Sequence, residues 1–195
     1  MSESGVQRAP GAFMSFIAIV WYNYVAARGA AMHDFFPLFS QAGIVAFQAI
    51  WLSVAVYDNI THSAVNERGF GLVLRMDLVE KQDPEGFKEL SGRRVQNPAT
   101  EKALFKALVT CESIVAVLLW LGALALLLSA FGVIAHTGAR AFAMMAVLGF
   151  TAIWTSLLTG GLWFLDRVGM ANAVMGHSFL LIWGTVTLVF LAVAP

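Results

Sequence analysis

Four long apolar stretches dominate this chain of 195 residues. A helix needs about twenty mostly apolar residues to cross the hydrocarbon core of a bilayer, and every backbone amide in lipid must be bonded within a helix or a closed barrel. The stretches occupy residues 38–57, 108–130, 141–165 and 173–193. They do not alternate polar with apolar residues, as the strands of a membrane barrel do. The sequence therefore predicts an all-α integral membrane protein, a bundle of four transmembrane helices.

The composition agrees with lipid as the main solvent and excludes a nucleic-acid partner. Hydrophobic residues make up 59% of the chain and charged residues 12%, against about 45–50% and 25% in soluble domains. A small soluble fold leaves too much of its surface in water to hide so many apolar side chains. The formal net charge is +0, whereas binding to nucleic acid calls for a clustered excess of Lys and Arg. The lipid bilayer is the expected partner.

Most charged residues lie in one segment, residues 58–107, between the first and second apolar stretches. It holds eight of the twelve basic residues and eight of the twelve acidic residues. We interpret it as a long polar loop in water. The sequence Asp83-Pro84-Glu85-Gly86 predicts a turn inside the loop, and Asn97-Pro98 predicts the start of a helix that leads into the second span.

A short apolar patch at residues 70–76 distinguishes this loop from a flexible linker. Disordered linkers combine low hydrophobicity with high net charge, whereas this segment has balanced charge and a patch that would be exposed to water if the loop were unfolded. We therefore expect the loop to be ordered and to contact a partner or the rim of the bundle. Leu72, Leu74 and Met76 are the candidate docking residues and are expected to be buried.

The N-terminal extension, residues 1–37, contains a further apolar segment at residues 11–27. Aromatic and amide side chains interrupt that segment at residues 21–24, and Trp and Tyr favour the headgroup level of a membrane. An extra interfacial helix is favoured there over a fifth span. A signal peptide is a third possibility, because small residues near Ala27 resemble a cleavage site. The remaining residues, 38–195, form the predicted four-helix membrane domain.

Several short motifs follow one another along these spans. They are Asp58-Asn59-Ile60-Thr61, Asn66, Val73-Leu74-Arg75-Met76-Asp77, Glu112 with Leu119-Trp120-Leu121-Gly122-Ala123, and Trp154 with Gly160-Gly161-Leu162-Trp163-Phe164. In their order and spacing, from about residue 38 to the C-terminus, the chain resembles a widespread bacterial group of predicted small integral membrane proteins, domain of unknown function 2165. The resemblance implies a four-helix membrane fold and no established activity. We expect the protein in the cell inner membrane. The segment before about residue 35 looks like an addition to the family pattern.

The membrane orientation stays open, because two arguments disagree. Lys and Arg near the spans favour the cytoplasmic side, and they are concentrated in residues 58–107. The resemblance, by contrast, implies that the Asn59-Ile60-Thr61 loop lies outside the cytoplasm.

Glu112 is the most informative single residue. An ionisable group inside a span is costly and marks a functional site by default. Glu112 lies only about one turn into the second apolar stretch. It could therefore handle a proton or ligand, or it could be a polar tie between helices with easy access to the interface.

A second group of candidates lies where the first span ends, and we call it the polar cluster. It consists of Asp58, Asn59, Thr61, His62 and Asn66. Oxygen and imidazole ligands so close together could hold a cation. The same residue types satisfy free backbone groups at ordinary helix ends, so a structural role is the competing interpretation. Asp77, at the end of the loop motif, completes the list of candidate polar residues.

The sequence gives no support for an enzyme, a metal site or a cofactor. Nucleophile elbows, phosphate loops and paired zinc-ligand motifs are absent, and of the four histidines only His177 lies inside a span, which does not suit a bis-histidine haem. The favoured function is a non-catalytic accessory subunit of a larger bacterial membrane protein complex, such as a bioenergetic or oxidation assembly. The alternative is a small transporter or channel for a cation or proton that uses Glu112 and the polar cluster.

Overall fold

A computed structural model describes the backbone of residues 11–193 and the side chains from residue 35 to residue 193. The helices are α1 (Gly11–Thr61), α2 (Ser63–Leu74), α3 (Asp77–Gln82), α4 (Pro84–Leu90), α5 (Pro98–Ala130), α6 (His136–Phe164) and α7 (Arg167–Val193). A 3₁₀ turn at Ser91–Arg93 follows α4. Within the described range no strand is formed, so the all-α prediction is confirmed there.

Four of these helices are long and apolar enough to cross a membrane. They are Phe35–Thr61 of α1 and the whole of α5, α6 and α7, with hydropathies of 1.6, 2.4, 1.8 and 1.8. In the part of the chain whose side chains are described, these four candidate spans agree with the four predicted apolar stretches. At about 1.5 Å per residue, the 33 residues of α5 exceed the roughly 30 Å of hydrocarbon. The N-terminal part of α5 therefore extends beyond the lipid and meets α2.

The N-terminal extension is described only in part. Residues 11–34 continue α1 as helical backbone, and their side chains lie outside the described part of the chain. The expected interfacial or fifth helix at residues 11–27 falls in that range, so its membrane position stays a prediction.

Close helix packing holds the spans together. α5 packs between α1 and α6, and α7 packs on α6. At Gly122 of α5, an added Cβ atom would lie 3.1 Å from the Cα of Ala143 on α6. Such backbone approach needs small residues, because lipid tails are as apolar as leucine and only close contact stabilises helix pairs in a membrane. Leu119 and Leu126 beside this contact are fully buried.

The predicted polar loop is wrong in its form, because residues 58–107 are mostly helical. The end of α1, the three short helices α2–α4 and the first turns of α5 fill the segment. The turn expected at residues 83–86 is the beginning of α4: the Asp83 carboxylate accepts a hydrogen bond from the Gly86 backbone N–H at 3.0 Å, and Pro84 occupies the first helical position. Both features begin helices as readily as they form turns. The predicted start of α5 is confirmed, with Asn97 as its N-cap and Pro98 following.

These short helices are held on the bundle by an ion-pair network. Arg75, which follows α2, donates to Asp77 of α3 at 2.9 Å and to Glu101 of α5. Gly71 makes room for the Arg75–Glu101 pair, since a Cβ there would clash with both side chains. The Val95 N–H donates to the Leu74 carbonyl at 2.9 Å. The segment is therefore ordered against the bundle's own rim.

Candidate functional site

Glu112 lies inside the bundle and faces the end of α1. Its side chain is 3% exposed, and its Oε2 accepts a hydrogen bond of 2.8 Å from Asn59 Nδ2. In the described part of the chain, no Lys, Arg or His forms an ion pair with it. A neutral amide is thus the polar partner of a buried carboxyl, an arrangement that leaves a negative charge uncompensated.

The polar cluster joins Glu112 to the surface. Asn59 Oδ1 accepts from Asn66 Nδ2 at 3.0 Å, and the same Nδ2 lies 2.9 Å from Asp58 Oδ2. Asp58 Oδ1 in turn lies 2.9 Å from His62 Nδ1, and these two side chains are 57% and 64% exposed. Four hydrogen-bonded side chains therefore lead from water to the buried carboxyl. Amides do not exchange protons, so this series can attract and orient a cation or water but is not by itself a proton wire.

Thr61 plays a more local part in the polar cluster. Its hydroxyl donates to the Tyr57 carbonyl one turn earlier at 2.8 Å and lies 3.2 Å from His62 Nδ1. The helix-end interpretation therefore applies to Thr61. The other members of the polar cluster bond to one another across α1 and α2 rather than to free backbone groups.

A cleft of about 740 Å³ opens beside this series, between α2 and the spans. Glu112, Asn59 and Asn66 line one side. Small-molecule sites commonly have volumes of about 300–1,000 Å³, with mostly apolar walls and a few convergent polar groups. The cleft has both properties.

The other side of the cleft carries Asp166 and His177. Asp166 follows α6 in the turn before α7, where Leu165 has a left-handed backbone (φ 54). Its carboxyl lies against Gly161, where any Cβ would collide with it. Burial raises the pKa of the Asp166 carboxyl, while the neighbouring Arg167 backbone N–H and the charges of His177 and Arg167 lower it to a smaller extent.

Aromatic rings form much of the remaining wall. The Trp154 ring stacks on the His177 ring with centroids 5.6 Å apart, and meets Trp51 edge-on at 5.2 Å. Phe70 of α2 and Phe105 of α5 pack together at 5.9 Å. All five of these side chains line the cleft. His177 Nδ1 is buried there without a hydrogen-bond partner among the described residues.

The remaining sequence-predicted residues lie away from the cleft or behind its wall. Asp77 belongs to the ion-pair network with Arg75. Of the candidate docking residues, Leu74 and Met76 are 5% and 1% exposed and Leu72 is half-buried. The expected burial thus holds for two of the three, and they are covered by the chain itself.

The sequence reasoning missed Asp166 and gave His177 no role in a ligand site. Asp166 stands in a turn between spans, where a single acidic residue is unremarkable. The signal that could have found it is Gly160-Gly161 five residues earlier, because a glycine facing a buried carboxyl provides room for it. His177 shares no sequence motif with Glu112, since the two line one cleft only through the packing of α6 on α5 and of α7 on α6.

A metal centre has no support in this geometry. Among the side chains of residues 35–193, no group of three or more His, Cys, Asp or Glu is close enough to hold a metal ion. Hard cations such as Ca²⁺ take six to eight oxygen ligands, and the polar cluster supplies its carboxylate together with neutral amides.

Comparison with known proteins identifies the family. A family model described as "predicted small integral membrane protein (DUF2165)" matches residues 38–194. No curated protein and no solved structure matches the chain. The matched segment contains the first span from residue 38 onward, the other three spans, the short helices and every residue of the cleft described above. The chain therefore belongs to the DUF2165 family of predicted small integral membrane proteins.

Proposed function

We propose that the protein is a small transporter or channel in which Glu112 receives a proton or another cation from the aqueous side. One observation carries this proposal. Glu112 is buried, opens onto a cleft and is connected through Asn59, Asn66 and Asp58 to the exposed His62. If Glu112 were only a tie between helices, the structure would need no cleft beside it and no polar series leading outward.

The electrostatic argument supports the same role. A carboxylate placed in a membrane protein without a cationic partner is unstable as a free charge. It becomes stable by taking up a proton or by binding a positive ion. Because Glu112 lines the cleft, a proton or a cation that enters the cleft can reach this carboxyl.

Flux through reconstituted vesicles tests the proposal. Purified protein in liposomes is given a pH gradient, with valinomycin and potassium to compensate charge, and internal pH is followed with a trapped dye. We expect wild-type vesicles to dissipate the gradient faster than empty vesicles, and Glu112→Gln to lower that rate at least tenfold. Glu80→Gln is the matched control, because Glu80 is exposed on α3 and does not line the cleft.

Two results would contradict this function. One is a wild-type rate equal to that of empty vesicles, and the other is a Glu112→Gln rate equal to wild type. Elution volume and thermal stability in detergent must match between the variants, so that a folding defect is not mistaken for lost flux.

The accessory-subunit role is our second proposal, and an exposed stripe on α7 favours it. Only 17% of the α7 span is buried, against 33–39% of the others. The stripe consists of Met175, Phe179, Ile182, Val186, Val189 and Val193, which are 52–74% exposed. Their alternating spacing of four and three is that of helix–helix seams, so the proposed occupant is a transmembrane helix of another protein in the bacterial inner membrane.

In the absence of a partner protein, lipid would cover the α7 stripe. Purification distinguishes a partner helix from lipid. Extraction in mild detergent followed by mass spectrometry should recover a second membrane protein in stoichiometric amount. A monodisperse preparation that contains this chain alone would refute the subunit role.

A further inference from the structure

The cleft is much larger than a proton or a bare metal ion requires. Its volume is about 740 Å³, and the side chains of residues 35–193 provide no cluster of metal ligands. Sites that bind small organic molecules commonly have volumes of about 300–1,000 Å³. The space beside Glu112 therefore fits an organic molecule as the species that shares this site.

The charges that line the cleft indicate the sign of that molecule. Among the described residues that line it, Glu112 and Asp166 are the two carboxyl groups and His177 is the single titratable base. Neither Lys nor Arg is among these described lining residues. An organic anion would meet carboxyls without a fixed positive charge, so the lining favours a cation.

The aromatic wall favours the same ligand. Organic cations bind over the faces of Trp, Tyr and Phe, and this attraction strengthens when water is removed. Trp51, Trp154, Phe70 and Phe105 line the cleft beside Glu112. An amphipathic ligand would place its apolar body on these rings and its positive charge toward the carboxyl.

We propose that the cleft binds an amphipathic organic cation, in which an ammonium-type group pairs with Glu112 and an apolar body packs on the aromatic wall. This assignment deepens the proposed transport function and rests on it. One carboxyl cannot hold a proton and pair with a cation at the same time. Protons and the organic cation therefore compete for Glu112, and binding of the cation releases a proton.

The test uses two probes of nearly equal shape and opposite charge, tetraphenylphosphonium and tetraphenylborate. Each is titrated into the full-length protein in phosphatidylcholine nanodiscs by calorimetry, with empty nanodiscs subtracted. We expect saturable binding of tetraphenylphosphonium with one site per chain and no saturable binding of tetraphenylborate. The Kd should rise at least threefold between pH 8 and pH 6 as protons compete.

Variants assign the effect to Glu112. Asp166 and His177 line the same cleft, and Asp58 and His62 are joined to Glu112 through Asn66 and Asn59, so each could contribute to the pH dependence. Glu112→Gln should weaken tetraphenylphosphonium binding at least tenfold and abolish the pH dependence, while Glu80→Gln leaves both unchanged. If Glu112→Gln fails to fold, the wild-type protein still tests the proposal, because its binding can be compared between the two probes and between the two pH values.

The outcomes separate this inference from the proposed function. If Glu112-dependent proton flux is observed but tetraphenylphosphonium neither binds nor inhibits it, the organic-cation assignment is overturned and the transport function stands. If the probe binds in a Glu112-dependent manner but vesicles show no flux, the ligand assignment is supported and the transport function fails. Equal binding of the two probes, or unchanged binding in Glu112→Gln, overturns the assignment.

Discussion

The two halves of the membrane bundle use the same helices in different ways. In the packed half, around Gly122, the spans approach closely and side chains such as Leu119 and Val147 are fully buried. In the open half, around Glu112, the same helices leave a cleft of about 740 Å³. Small-residue contacts and dispersion are what hold helices together in lipid. The open half forgoes part of that stabilisation, which is what a binding site requires and a purely structural bundle does not.

Polar groups follow the same division. In the packed half, Gln48 Nε2 donates to Thr187 Oγ1 at 3.0 Å, and both residues are buried. That contact ties α1 to α7 within the bundle. In the open half, by contrast, the polar series through Asn59 ends on a carboxyl that has access to the cleft. A polar contact in the membrane is structural in the first case and available to a ligand in the second.

The largest expected effect comes from a substitution that forces the helices of the packed half apart by steric overlap. Gly122→Leu places a side chain where even a Cβ would lie 3.1 Å from the Cα of Ala143, so α5 and α6 must separate. We expect a loss of about 3 kcal/mol of unfolding free energy, at the upper end of overpacking effects. The measurement is reversible unfolding in mixed micelles of a mild detergent and sodium dodecyl sulfate.

Gly160→Ala is the matched control from the open half. Gly160 lies at the cleft, and a Cβ there meets no atom within 4 Å. Alanine should be neutral, or stabilising by up to about 1 kcal/mol through its higher helix propensity. If the two substitutions destabilise the protein equally, the division of the bundle into packed and open halves is wrong.

A smaller effect is expected where α2 and α3 cover the open half. Arg75→Gln leaves Glu101, which is 7% exposed, without its cationic partner. Favourable contacts with Asp77 and Glu101 also raise the pKa of Arg75. Breaking a buried ion pair costs about 3–5 kcal/mol, but partial exposure of the Arg75 side chain reduces this to about 1–2 kcal/mol.

Limited trypsin digestion shows whether that loss is local. In the wild type we expect cleavage near Lys81 or Lys88, which are exposed, and protection at Arg68. In Arg75→Gln the released α2 should be cut at Arg68 several times faster. Lys88→Gln breaks only the exposed pair with Glu85 and should change stability by less than about 0.5 kcal/mol. Rapid wild-type cleavage at Arg68 would show instead that α2 is not held on the bundle.

The sequence predicts the packed half far better than the open half, for a physical reason. Spans are visible as runs of apolar residues because lipid imposes one requirement on every residue in them. Glu112 and the polar cluster were also identifiable, since Asp58, Asn59, His62 and Asn66 are close along the chain. Their hydrogen bonds to one another depend on the angle between α1 and α2, which the residues do not reveal.

The opposite wall of the cleft could not be predicted in the same way. Asp166 and His177 line the same cleft as Glu112 only because α6 packs on α5 and α7 packs on α6, and this packing brings together residues more than fifty positions apart. The form of residues 58–107 was missed for another reason. Charge showed that the segment lies in water, but short helices such as α4 have too few turns to display an apolar periodicity.

The smallest predicted effect concerns the pH dependence of stability through Asp166, on the outer wall of the open half. Burial raises the pKa of this carboxyl in the folded protein above its unfolded value, so folding favours the protonated form. The favourable contribution of Asp166 to folding stability is fully present below the unfolded pKa and is lost as pH rises through the folded pKa.

Asp166→Asn removes this titration while keeping the shape of the side chain against Gly161. Thermal stability in detergent from pH 4 to pH 8 should therefore fall less steeply for Asp166→Asn than for the wild type, with the difference favouring the variant at the higher pH. The difference between the two curves reports the titration of Asp166 together with that of His177, whose charge acts on it. A difference that stays constant with pH would mean that contacts with Arg167 and His177 offset the cost of burial, and one that favours the wild type increasingly as pH rises would mean that they outweigh it. Either result would show that this wall of the cleft is anionic in the folded protein.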